Sequence, residues 1–202
     1  DPLPESADIA VYGRDALAVA DAAGVERFAF CGLSLGGMVG IRLAADASER
    51  LESVVLANTT AHIADTTLLR RRIDLLRREG IGAIVDDVIE KWLTAGFRDS
   101  HPGTVALCRE MLEGCGGEAY ADAAQTVCDV DLRDDLARIS VPCTVVVGAH
   151  DEATPPDWGR SIAAAVPGAR LVELPAAHLS NVEAPQEFAK VIELAGGAAG
   201  GR

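Results

Sequence analysis

The sequence predicts an α/β fold on a mostly parallel sheet, interrupted by an inserted run of helices. Three observations carry that expectation. A short apolar strand leads through Cys31-Gly32-Leu33-Ser34-Leu35-Gly36-Gly37 into a helical pattern. Short β-branched runs alternate with amphipathic stretches on both sides of the chain's middle. From about Thr60 to Asp131 only helical spacing recurs.

Taken in order, Ile9, Ala16, Leu17 and Ala20 suit a helix from Ala7 to Ala23, with Ser6 as its N-cap and Gly24 as its stop. Arg27 to Cys31 is then a strand, Gly36 to Ala45 a helix, and Ser53 to Ala57 a buried strand. In the middle, Leu68 to Leu76 carry helical spacing before Gly80, Ile84 to Leu93 carry it before Gly96, and Val105 to Leu112 suggest a third helix ending at Gly114. Alternation resumes with a short helix near Leu132 to Arg138, a strand Thr144 to Val147, a helix after Pro156, a strand Arg170 to Leu174 and a final helix from Pro185. The expected division is a core of residues 1–59 and 132–195, a helical cap of residues 60–131, and a Gly-rich tail or linker at 196–202.

Length and composition suit one globular domain: 202 residues, 49% apolar and 4% aromatic, so the core is built from Ala, Val, Leu and Ile. A formal charge of -13 argues against a nucleic-acid partner, which needs clustered cations. The five cysteines form no C-x-x-C pair and leave one over after pairing, which indicates neither a zinc site nor a disulfide framework and fits a cytoplasmic protein. No stretch is long and apolar enough to span a bilayer, and the acidic, Pro-containing start does not read as a signal peptide.

Gly32-Leu33-Ser34-Leu35-Gly36 is a G-x-S-x-G pattern set between strand and helix, a turn that lifts a serine hydroxyl off the end of a sheet. Small flanking residues let strand and helix pass closely there. Ser34 is therefore a candidate nucleophile, and it needs a base and an orienting acid placed after other strands on the same sheet edge. Asp151 lies just beyond Thr144–Val147, and His178 just beyond Leu171–Leu174. The order serine, acid, histidine is that of the α/β-hydrolase arrangement. His62, His101 and His150 read instead as loop, helix-end or pocket-wall residues, and Asp129 and Asp131 as capping acids. The implied chemistry is acyl transfer to water without metal or cofactor. The Leu35 N–H would be one oxyanion donor, and a loop after an early strand would supply the second.

The chain also resembles the bacterial 3-oxoadipate enol-lactonases. The resemblance is carried by Phe-Cys-Gly-Leu-Ser-Leu-Gly-Gly-Met around Ser34, Leu-Ala-Asn-Thr-Thr at Leu56 to Thr60 and Asp-Leu-Arg-Asp-Asp-Leu at Asp131 to Leu136. Gly-Ala-His-Asp-Glu-Ala-Thr-Pro-Pro at Gly148 to Pro156 and Ala-Ala-His-Leu-Ser-Asn at Ala176 to Asn181 complete it. It implies hydrolysis of a small carboxylated enol-lactone to 3-oxoadipate, in the breakdown of protocatechuate and catechol. The enol leaving group collapses to a ketone and drives ring opening. The helical insertion is similar to that family's cap, and Lys91-Trp92-Leu93-Thr94 matches a cap segment, which makes Trp92 either a pocket wall or a helix-packing residue. The cap arginines are a candidate source of positive charge for an anionic substrate, against a solvated-face reading of Arg70 to Arg72.

Against the family pattern the chain begins about where the early strands end, so the expected sheet is N-terminally incomplete, without the upstream oxyanion loop and with an open edge beside the Ser34 strand. Some family members continue into a carboxymuconolactone decarboxylase domain, and the Gly-rich end suits such a linker as well as a plain tail. Two other readings stand beside the lactonase: another small carboxylester or lactone hydrolase, and a truncated, non-catalytic hydrolase module.

Overall fold

β-branched and small apolar residues make two strands that are buried on both faces and form the centre of the protein: β2 (Leu51–Ala57) and β3 (Cys143–Gly148). In the computed structural model, which describes residues 8–197, they are flanked by β1 (Phe28–Leu33) and β4 (Arg170–Leu174) in the order β1-β2-β3-β4, all parallel. Among the described residues β1 and β4 are the edges, and both alternate between exposed and more buried positions.

Helices cover the two faces. The first is α1 (Ile9–Ala22), and the second, α2 (Leu35–Asp46), leaves directly from β1. The N-cap of α1 is Asp8, whose carboxylate accepts from the Ala10 N–H at 3.1 Å; the expected cap, Ser6, lies outside the described residues. Val54 and Leu56 of β2 and Val145 and Val147 of β3 pack on the face that receives Ile9, Met38 and Ile41. Val55, Ala57 and Val146 face the other way, toward Phe188 and Val191. This period-two division is what a doubly covered sheet requires.

Between β2 and β3 run α3 (Thr67–Glu79), α4 (Val85–Trp92), α5 (Ala95–Ser100), α6 (Pro102–Gly114) and α7 (Gly117–Asp129). They enclose an apolar cluster of their own that includes Ile73, Leu76, Val88, Ile89 and Leu112. Two features differ from the sequence reading. The second helix does not continue to Gly96: it stops at Trp92, Leu93 is extended (φ -133°, ψ 137°), and Thr94 caps a new helix by accepting from the Phe97 N–H at 3.3 Å. A further helix, α7, follows Gly116.

After a 3-10 segment (Arg133–Arg138) and β3, the chain forms α8 (Pro156–Ala165), β4, the short α9 (Ser180–Glu183) and α10 (Pro185–Gly197). The start of the expected tail is therefore helical through Gly197, and residues 198–202 lie outside the described ones. All five cysteines are free thiols; Cys143, on central β3, is pushed up to about 12 by burial. No described helix is long and apolar enough to cross a membrane.

Candidate active site

In a parallel sheet every strand points its C-terminal end the same way, so residues just past β1, β2, β3 and β4 gather at one edge. Those residues are Ser34, Asn58, Asp151 and His178.

Ser34 occupies the turn between β1 and α2 with φ 57° and ψ -119°, a conformation a non-glycine residue adopts only where its surroundings hold it. Its N–H donates to the Ala57 carbonyl at 2.9 Å, and its own carbonyl accepts from Thr59 Oγ1 at 2.7 Å. The steric reason for glycine is narrower than the motif suggests. A Cβ on Gly32 would collide with the Gly36 carbonyl, and one on Gly37 would lie 2.6 Å from Thr59 Cβ, whereas one on Gly36 would meet open space. The N–H of Leu35 is the first of α2, and helix-start N–H groups have no carbonyl one turn back to bond. They lie at the positive end of the helix dipole.

Asp151 and His178 are 3% and 4% exposed and hydrogen-bonded: His178 Nδ1 is 3.0 Å from Asp151 Oδ2 and 3.2 Å from Oδ1. Asp151 Oδ1 also accepts from the N–H groups of Ala153 (2.9 Å) and Thr154 (2.8 Å). Its Oδ2 accepts from Thr154 Oγ1 at 2.6 Å and from Asn58 Nδ2 at 3.0 Å. Burial works against the carboxylate, yet the hydrogen bonds from His178 and Thr154 outweigh it and hold the acid below its ordinary range. Thr154 Oγ1 is 3.2 Å from His178 Nδ1, but its proton is committed to Asp151. Nδ1 thus faces only acceptors and carries the hydrogen, which leaves Nε2 as the basic nitrogen.

A cavity of about 250 Å³ opens over this edge and is lined by Ser34, Leu35, Thr154 and His178 from the sheet side, and by Trp92 and Tyr120 among the residues of the helical side. Of the residues singled out in the sequence, Ser34, Leu35, His178 and Trp92 share one cavity, with Asp151 behind His178. The others lie elsewhere. His62 bridges to Asp131 on an isolated antiparallel pair, His101 stacks on Phe97 with ring centroids 4.2 Å apart, and His150 is exposed. Asp129 pairs with Arg70 at 2.7 Å and Asp131 with Arg133 at 2.5 Å.

Two polar groups escaped the sequence reading. Asn58 and Thr154 both touch Asp151; each stands in a segment that carries the family resemblance, but with no role assigned to it. A third, Glu183 of α9, ties the His178 loop to the helical region: its carboxylate accepts from Thr94 N (2.9 Å), Thr94 Oγ1 (2.6 Å) and the Ala177 N–H. Beside it, the Leu179 N–H donates to the Trp92 carbonyl at 2.9 Å, so the break at Leu93 sets Trp92 next to His178.

A hydroxyl on a forced turn, an imidazole with its Nδ1 hydrogen held by a buried carboxylate, and helix-start N–H groups are the parts acyl transfer needs. Comparison with known proteins agrees with this class. The alpha/beta hydrolase family matches residues 1–191. The chain is 34% identical to 3-oxoadipate enol-lactonase 2 of Acinetobacter baylyi over 90% of its own length and 68% of that protein's. The enol-lactonase of Burkholderia xenovorans LB400 superposes with a TM-score of 0.91 at 37% identity, covering 95% of this chain and 73% of that one. A thermophilic esterase of Thermogutta terrifontis, solved with malate bound, superposes at 0.87 with 27% identity, covering 96% and 73%.

Proposed function

Because this chain belongs to the alpha/beta hydrolase family and is a carboxylic-ester hydrolase with enol-lactonase relatives, we propose that it opens the ring of 3-oxoadipate enol-lactone to give 3-oxoadipate, in the breakdown of aromatic acids. The observation that carries the reading is one cavity shared by Ser34 and His178, with Asp151 bonded to the far nitrogen of the imidazole. Its volume falls just below the usual small-molecule range of about 300–1,000 Å³, which suits a small lactone rather than a long acyl chain.

In this reading His178 Nε2 removes the Ser34 proton and Oγ attacks the lactone carbonyl carbon. The tetrahedral oxyanion is met by the Leu35 N–H. As the ring C–O bond breaks, the enol oxygen takes the proton from His178 and the enol tautomerises to a ketone. Water gives a proton to His178 and adds to the acyl carbon, and the imidazolium returns that proton to Ser34 Oγ as the acyl–Oγ bond breaks. Asp151 holds the tautomer and balances the imidazolium. Trp92 supplies an apolar wall.

The test is lactone ring opening, followed by loss of its ultraviolet absorbance, in the protein and in Ser34→Ala, with a fluorophosphonate label mapped by mass spectrometry. Label on Ser34 and loss of at least about 10³-fold in the variant are expected. Lactone opening that survives Ser34→Ala, or a protein that cleaves simple esters but leaves the lactone intact, would sink the reading.

A further inference from the structure

Three consecutive arginines on α3 meet three different surroundings. Arg70 is exposed and paired with Asp129 at 2.7 Å, and Arg71 is exposed on the outer face. Arg72 is half-buried and lines the cavity that holds Ser34 and His178. The solvated-face reading therefore fits Arg70 and Arg71 and fails for Arg72.

The electrostatics of the cavity are one-sided. Among the described residues no Asp or Glu lines it, and Arg72 is its one permanently charged side chain. Arg72 makes no ion pair with a described carboxylate, whereas Arg70, Arg77, Arg109, Arg138 and Arg160 all do. His178 is matched by Asp151. So in a protein of net charge -13, the cavity keeps an uncompensated cation. The rest of the lining is largely apolar: Leu33, Ile63, Leu69, Ala124 and Val127 are among it. A guanidinium in such a setting loses hydration, and an anion that bonds to its planar fork replaces it. Tyr120 on α7 lines the same cavity; burial pushes its phenol upward, against the pull of the Arg72 charge, and keeps it a neutral donor.

We propose that Arg72 is the specificity-determining residue of this site: it binds a carboxylate carried by the substrate at the end remote from the scissile carbonyl, with Tyr120 beside it as a second donor. The substrate class is then a small ester or lactone bearing one free carboxylate, seated with its carbonyl on the sheet wall at Ser34 and its anion on the helical wall at α3 and α7. This rests on the hydrolase reading of Ser34 and His178.

The test uses two esters of equal acyl length, the mono-p-nitrophenyl ester of glutaric acid and p-nitrophenyl valerate, with the protein, Arg72→Lys and Arg72→Gln. Arg72→Gln is expected to lower kcat/KM for the carboxylated ester by about 10- to 100-fold, chiefly through KM, and to leave the neutral ester within about threefold. Arg72→Lys, a point charge without the fork, should fall between. Glutarate should inhibit hydrolysis of the neutral ester competitively, and Arg72→Gln should relieve that inhibition. Equal losses on both esters, or no loss on either, would overturn Arg72's role, and the neutral ester reports whether each variant is folded. A protein that selects the carboxylated ester through Arg72 yet leaves the enol-lactone closed would overturn the lactone reading alone. One that opens the lactone as well in Arg72→Gln would overturn the role of Arg72 alone.

Discussion

Asn58 donates from Nδ2 to Oδ2 of Asp151 at 3.0 Å, from a backbone with φ 46° at the end of the neighbouring strand. The same amide nitrogen reaches the Ala177 carbonyl at 3.2 Å, and its oxygen accepts from Ser180 Oγ at 2.5 Å. One 1% exposed side chain thus ties the loop of Asp151 to the loop of His178.

Asn58→Ala removes all three bonds and places a Cβ-bearing residue without a local hydrogen bond at positive φ. A stability loss of about 2–4 kcal/mol is expected, the sum of an unsatisfied buried pair and left-handed strain. Asn58→Gly relieves the strain alone and should recover about 1 kcal/mol of it. Both should lose kcat about tenfold with KM little changed, because they loosen Asp151 and not the cavity wall. Urea unfolding and steady-state kinetics on the pair would check this. A KM effect without a kcat effect would contradict a positioning role.

The acid limb of stability should carry Asp151's signature. Its carboxyl is depressed in the folded protein, so its contribution is complete above the unfolded value of about 3.9 and is lost as pH falls through the lower folded value. Below about pH 4 the protein should lose melting temperature more steeply than Asp151→Asn does, while the variant is less stable at pH 7. The variant's amide must turn an N–H₂ toward donors from Ala153 and Thr154 or from Asn58. Its kcat should drop by about 10⁴. Parallel melting curves from pH 2 to 7 would remove Asp151 from the linkage.

Much of this edge was legible in the sequence, because an acid and a histidine that follow strands of a parallel sheet have only one side on which to lie. Asp151 and His178 needed nothing more than strand ends. Arg72 was not separable from Arg70 and Arg71: consecutive helical residues differ by about 100° in direction, and only the packing of α3 on α7 decides which points inward. The break at Leu93 was hidden because Leu93 is fully buried and extends the apolar period of α4 after the helix has stopped. α7 was missed as a separate element because it opens on Gly116 and Gly117 and is built largely of Ala and small polar residues.

The motif's two glycines should not be equivalent. Gly32→Ala forces a Cβ onto the Gly36 carbonyl, which is backbone and cannot yield, and is expected to cost more than about 3 kcal/mol or abolish soluble expression. Gly36→Ala meets open space within a helix and should be neutral or stabilising by up to about 1 kcal/mol. Thermal melts of the two variants would decide it, and equal damage from both would show that Gly36 is needed for something other than packing.

Glu183 gives the sharpest coupling test, since its two carboxylate oxygens serve opposite sides of the cavity. Oε1 accepts from Thr94 at the break between α4 and α5, and Oε2 accepts from the Ala177 N–H next to His178. A Gln at this position has one acceptor oxygen, so its N–H₂ must face a donor on one side or the other, at about 1–3 kcal/mol. Glu183→Gln should therefore loosen both segments: amide exchange should rise at Ala177–Leu179 and at Trp92–Thr94 together, and kcat/KM should fall about tenfold. The control is Glu187→Gln on α10, an exposed acid expected to change neither. Exchange that rises on one side alone would mean that the two walls are held independently and that the placement of Trp92 beside His178 does not depend on Glu183.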